Sequence, residues 1–127
     1  MIHSKYFEER VGVRVFQYYL GNFKMNKNNV ARELKCPICL HELYARVWEL
    51  PGGLQEGLYM LACEFPQCAF YGGSISLVMR MERLGVREAT KVVKFFVAGA
   101  DDKTVKKFIG EIIGSRTRSL NGIIRQG

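Results

Sequence analysis

Apolar residues recur with helical spacing toward both ends of the chain, and shorter strand-like runs lie between them. Residues 4–20 read as a helix with Ser4 as N-cap and a buried side formed by Tyr6, Phe7, Val11, Phe16, Tyr19 and Leu20. Gly12 and the β-branched Val11, Val13 and Val15 weaken its middle, and Gly21 stops it. The polar, Asn- and Lys-rich stretch 22–30 reads as a loop. Residues 31–35 form a strand, and 44–50 a second one. In the latter Tyr44, Arg46, Trp48 and Leu50 share one face, and Ala45, Val47 and Glu49 the other. Pro51-Gly52-Gly53 breaks that strand, and Leu58–Ala62 returns as a third. Gly72-Gly73-Ser74 opens a helix over 75–83. Leu84-Gly85-Val86 turns into another over 87–98, which Gly99-Ala100 ends. Asp101 caps a last helix with Val105, Phe108, Ile109, Ile112 and Ile113 on one face. From Gly114 to Gly127 the pattern reads as a frayed tail.

These elements make an α+β chain in which a short antiparallel sheet is flanked by an N-terminal helix and two to three C-terminal helices. With 127 residues, 48% of them hydrophobic and 24% charged, it has the balance of one globular unit. The boundary falls between a segment 1–98 and a basic helix with tail, 99–127. No apolar run reaches the roughly 18 residues of a membrane span. The start Met1-Ile2-His3-Ser4-Lys5 lacks the pattern of a secretory leader, so a cytoplasmic placement is expected.

Four cysteines add chemistry to this outline. Cys36-x2-Cys39 and Cys63-x4-Cys68 form two close pairs separated by 23 residues. In a chain without a leader such pairs point to a metal rather than to disulfides. Each short turn aims two thiolates at one point, and two turns complete a tetrahedron around one Zn²⁺. Strands bracketed by such pairs make a zinc ribbon. A closed set of four thiolates leaves no open position, so the expected zinc is structural, with His41 outside the ligand set. No Ser/His/Asp set, phosphate-binding glycine loop or open metal site is visible, and no enzymatic activity is expected.

The segment from Cys68 through Ala89 resembles the zinc-binding domain of bacterial and phage replicative primases. In that family a glycine-rich turn follows the last cysteine, then come helices reading roughly Ile-x-Phe-Val-Met-x-x-Glu-Gly-Leu and Phe-x-Glu-Ala. Gly72, Ile75, Leu77, Val78, Met79, Glu82, Leu84, Val86, Glu88 and Ala89 fall at those positions. Cys36-Pro37-Ile38-Cys39 is similar to the family's Cys-Pro-x-His, with cysteine in place of histidine, and the likeness covers roughly residues 4–97. The catalytic carboxylate cluster of a primase is not among these residues, so no primer synthesis is expected. The resemblance implies recognition of single-stranded template through the sheet. Tyr44, Arg46 and Trp48, joined by Tyr59, would form that face, unless Tyr44 and Trp48 pack beneath the helices instead.

Charge locates a second set of candidates. The formal charge is +7, which becomes about +5 once four thiolates and Zn²⁺ are counted. Residues 36–75 carry −3, whereas residues 76–127 carry +6. Phosphate contacts are therefore expected from Lys91, Lys94, Lys103, Lys106, Lys107, Arg116 and Arg118. The leading expectation is a non-catalytic module that binds nucleic acid, single-stranded DNA above all, in a replication, phage or other mobile-element system. The alternative is a protein-interaction adaptor or small subunit of a nucleic-acid machine, docking its Val105/Phe108/Ile112 stripe on a partner.

Overall fold

The computed structural model describes residues 12–49 and 59–126, with side chains placed as far as Ser115. The expectations for residues 4–11, for Leu50 and Leu58, for the Pro51-Gly52-Gly53 break and for the Arg116 and Arg118 side chains lie outside the described part.

Helix α1 (Gly12–Leu20) leads to strand β1 (Val30–Leu34), and β2 (Ala45–Glu49), β3 (Tyr59–Cys63) and β4 (Tyr71–Gly72) follow. Three helices complete the chain: α2 (Ser74–Glu82), α3 (Val86–Val97) and α4 (Asp102–Gln126). The strands form one antiparallel sheet in the order β1-β2-β3-β4. The architecture of the described residues is thus α+β, with a four-stranded sheet and four helices.

Local chemistry explains most boundaries. Gly21 and Gly99 follow α1 and α3 at φ of 83° and 88°, a conformation that side chains disfavour. The Asp101 carboxylate accepts the Thr104 amide at 2.8 Å and caps α4. The loop before β1 is fixed by Asn26, whose side-chain oxygen accepts the amides of Asn28 and Val30. In β1 the register slips between Ala31 and Leu34, a bulge with Glu33 at φ 58°.

Two expectations need correction. Strand β4 was not anticipated, because two residues are too short for an alternating pattern. It is recognisable only by its pairing, Leu61 with Gly72 and Ala62 with Tyr71. The expected frayed tail is instead a continuation of α4 to Gln126. Gly110 and Gly114 lie within this helix without positive φ, and no proline follows Pro66 to stop it.

The core has two compartments. One, on the inner face of the sheet, holds Phe16, Cys36, Ala45, Val47, Leu61, Cys63, Phe70 and Leu77. The other, among the helices, holds Val15, Val78, Leu84, Ala89, Val92, Val93, Phe96, Val105 and Ile109. Neighbouring residues divide between them: Val15 and Phe16 on α1, Leu77 and Val78 on α2. Helices α1 and α2 therefore form a middle layer that touches β3 on one side and α3 on the other. Each side of this layer presents its own apolar stripe, which is why both helices are apolar over more than a narrow face.

The C-terminal stripe is engaged by this packing. Val105 and Ile109 are buried, and Phe108 and Ile112 pack against the same helical compartment. Val105 and Ile109 are thus covered by the chain's own helices, whereas Phe108 and Ile112 stay half-buried at the edge of the stripe.

Candidate metal centre and exposed sheet face

The four cysteines are brought together by two turns of the same form. After β1, Cys36-Pro37-Ile38-Cys39 turns so that the Leu40 amide donates to the Cys36 carbonyl at 2.9 Å, with Leu40 at φ 65°. After β3, Phe65-Pro66-Gln67-Cys68 turns so that the Ala69 amide donates to the Phe65 carbonyl at 2.8 Å, with Ala69 at φ 49°. Proline occupies the second place in both turns, where its fixed φ suits the bend. The two turns thus place Cys39 and Cys68 equivalently. Cys36 opens its own turn, but the equivalent place in the second turn is Phe65. The remaining thiol comes from Cys63 at the end of β3, two residues earlier, and this accounts for the longer spacing of the second pair.

The thiol geometry is that of a metal site. Cys36 Sγ lies 3.8 Å from Cys68 Sγ, and Cys39 Sγ lies 3.6 Å from Cys63 Sγ. All four ligand atoms fall within 4.8 Å of one another. A regular tetrahedron with metal–sulfur bonds of about 2.3 Å has edges of about 3.8 Å, whereas a disulfide needs about 2.05 Å. The cluster is therefore compatible with one structural metal ion held by Cys36, Cys39, Cys63 and Cys68.

Electrostatics agree with that reading. Burial pushes the Cys36 thiol up and the Cys63 thiol up to about 12. The Cys39 thiol is drawn down to about 6, first by the His41 backbone amide. Burial thus opposes the charged form of Cys36 and Cys63, and deprotonating the whole set in one place would need a cation to offset the charge. Among the described residues the metal-competent cluster consists of the four thiols, and His41 is outside it. The His41 ring stacks on Phe65 at 3.8 Å between centroids, bridging the two turns, and Tyr44 meets Phe65 edge-on at 5.2 Å.

On the opposite face of the sheet from the sheet core lie residues that neither described core compartment includes. Arg46 and Trp48 lie there, with the Arg46 guanidinium 4.4 Å from the centre of the Trp48 ring. Trp48 belongs to neither core compartment, so packing beneath the helices does not describe it. Tyr71 of β4 stands 5.9 Å from Trp48, centroid to centroid, and is 64% exposed. Arg46 Nε is 3.2 Å from Glu64 Oε1, an ion pair whose N–H is not directed as a hydrogen bond. A shallow groove of about 240 Å³ beside them is lined by Arg32, Glu33, Leu43, Tyr44, Ala45, Arg46 and Glu64.

The sheet splits the sequence-predicted aromatic set. Tyr44 precedes β2 and sides with His41 and Phe65 rather than with Trp48. Tyr59 pairs with Glu49 on the inner face and packs against the sheet core, so its expected place beside Trp48 is corrected. Tyr71 was missed, although an aromatic just past the second cysteine pair was visible in the sequence. Its partner strand was not. The basic candidates Lys91 and Lys94 on α3, and Lys103, Lys106 and Lys107 on α4, are exposed as expected. They sit on the helical layer, with α1 and α2 between them and the sheet.

Among the described residues no helix is long and apolar enough to cross a membrane. No protein-family model matches the chain, and neither a curated protein nor a solved structure matches it.

Proposed function

We propose that this protein is a non-catalytic zinc ribbon that binds single-stranded nucleic acid, DNA by preference, through the outer face of its sheet. The observation that carries the reading is the Trp48–Tyr71 pair on the outer sheet face, with Arg46 over the tryptophan and Tyr71 64% exposed. Unpaired bases stack on aromatic rings whatever their sequence, and a neighbouring guanidinium adds cation–π and phosphate attraction. Zn²⁺ suits a set of four thiolates and supplies structure, because a closed tetrahedral shell offers no site for a substrate. Its residues hold β1, β2 and β3 in register at one end, which positions Arg46 and Trp48 on β2 and Tyr71 on β4. The exposed lysines of α3 and α4 add a positive field that draws a polyanion in without contacting the same bases. The resemblance to primase zinc-binding domains supports a place in replication or in a mobile-element system.

The test is a titration of metal-loaded protein with labelled oligothymidylate, the matching RNA and a duplex at several salt concentrations. Trp48 fluorescence, a single-site reporter because the chain has one tryptophan, is followed alongside anisotropy. Expected are preference for the single strand, a falling affinity with salt, and quenching of Trp48. Trp48→Ala and Tyr71→Ala should each weaken binding about tenfold, the scale of one lost stack. Equal affinity for the duplex, or variants that bind as well as the parent, would overturn the reading.

A further inference from the structure

Two of the exposed lysines of the helical layer also border an apolar groove that phosphate attraction does not account for. Between α3 and α4 lies a groove of about 310 Å³ whose floor is Phe95, Phe108 and Ala98 and whose rim is Lys91 and Lys94. A second depression of about 340 Å³ shares both lysines and runs along α3 to Arg87 and Val86. The two are one track along about three turns of α3, and Val86, at its far end, is 61% exposed.

Two features specify what fits the track. Every charged residue lining it is basic, so the occupant must bring acidic groups at its edges. The floor is almost wholly hydrocarbon. Phe95 and Phe108 stack on each other, 4.1 Å between centroids and 30° apart, so each spends a ring face on its neighbour. The floor therefore offers hydrocarbon with no donor or acceptor to pair with the polar edge of a base, a lining that suits apolar side chains.

We propose that the α3/α4 track binds an acidic amphipathic peptide segment of a partner protein, with apolar anchors over Phe95 and Phe108 and carboxylates against Lys91, Lys94 and Arg87. This is the helix-in-groove mode of recognition, in which spaced apolar anchors give affinity and the charged rim gives orientation and rate. The track lies on the layer away from the sheet face, so peptide and single strand can be bound together. The proposal stands independently of the nucleic-acid reading.

The probe is a short labelled peptide with leucines and a phenylalanine at helical spacing among aspartates and glutamates. Its control carries serine at the apolar places. Both are titrated by anisotropy against the metal-loaded full chain, with oligothymidylate as competitor. Expected is binding of the peptide at least tenfold tighter than of the serine control. Lys91→Glu with Lys94→Glu should weaken it about tenfold or more. Ala98→Glu, which puts a like charge on the floor without removing any core side chain, should do the same. Trp48→Ala should leave it unchanged, which separates failure here from failure of the sheet reading. Equal binding of the serine control would reduce the track to a diffuse cation patch and overturn the proposal. So would loss of oligothymidylate affinity in the Ala98→Glu variant, which would make the track a nucleic-acid site. Mass that rises with concentration in sedimentation, abolished by Ala98→Glu, would make the occupant a second copy of this chain and equally overturn it.

Discussion

Leu40 and Ala69 stand one place past Cys39 and Cys68, and both are held in the left-handed region, at φ 65° and 49°. That region costs a residue with a side chain about 1–2 kcal/mol relative to its ordinary conformations. The turns accept the strain because only this bend sends the chain on past the thiols. Ala69 is exposed and has no side chain beyond Cβ to lose. Ala69→Gly should therefore stabilise the metal-loaded protein by about 1 kcal/mol, after allowance for the greater freedom of glycine in the unfolded chain. Thermal unfolding at fixed free metal concentration checks this, and a lowered melting temperature would contradict the assignment of strain. The cysteines themselves were legible from sequence because coordination chemistry dictates their spacing. Arg14 was not. Its guanidinium donates to the carbonyls of Phe96 at 2.7 Å and Ala100 at 2.8 Å, and so satisfies the end of α3 from 82 and 86 residues away. Nothing in a local pattern distinguishes such an arginine from one facing water.

At the scale of elements, helix starts and stops were readable wherever a side chain or a glycine made them. Asp101, Gly21, Gly99 and Gly85 all fall where helix chemistry places them. Strand β4 and the length of α4 were not readable. The first depends on pairing with β3, and the second on the absence of a stop rather than the presence of a signal. Asp101 also makes a pH-dependent claim. The Thr104 amide holds its carboxyl below the ordinary 3.8. A carboxyl depressed in the native state contributes stability above its unfolded value, and that stability is lost as pH falls through the native value. Asp101→Asn keeps a good cap without a titrating group, so its melting temperature should fall less steeply between about pH 4 and 2 than the parent's. Asp101→Ala should lower the melting temperature already at neutral pH. Melting curves across that range decide it, and identical acid limbs in parent and Asn variant would remove Asp101 from the account.

For the whole molecule, the division of the core matters more than the sum of its contacts. The sheet compartment contains two of the four clustered thiols, Cys36 and Cys63, with Cys39 and Cys68 packed against it, whereas the helical compartment contains none. A metal ion held by thiolates stabilises the fold it helps to assemble, and its removal acts first on the compartment it closes. The helical compartment draws buried residues from each of the described helices, with Leu84 added from the turn between α2 and α3, and is crossed by the Arg14 bonds described above. It is also tied at its edge by Tyr19, whose hydroxyl donates to the Glu82 carboxylate at 2.8 Å. Chelation should therefore unfold the sheet while much of the helical signal survives. Expected with a strong chelator under reducing conditions are a shift of Trp48 fluorescence to that of a solvated indole and loss of amide protection in β2 and β3. Far-UV circular dichroism should keep most of its helical band, and amides of α3 should stay protected. Returning zinc should restore the sheet signals. Loss of the helical band together with the sheet would mean that α1 and α2 bind the two compartments into one cooperative unit. In that case Val15 and Phe16, or Leu77 and Val78, cannot be released one without the other, and the metal holds the whole chain rather than the face that bears Trp48.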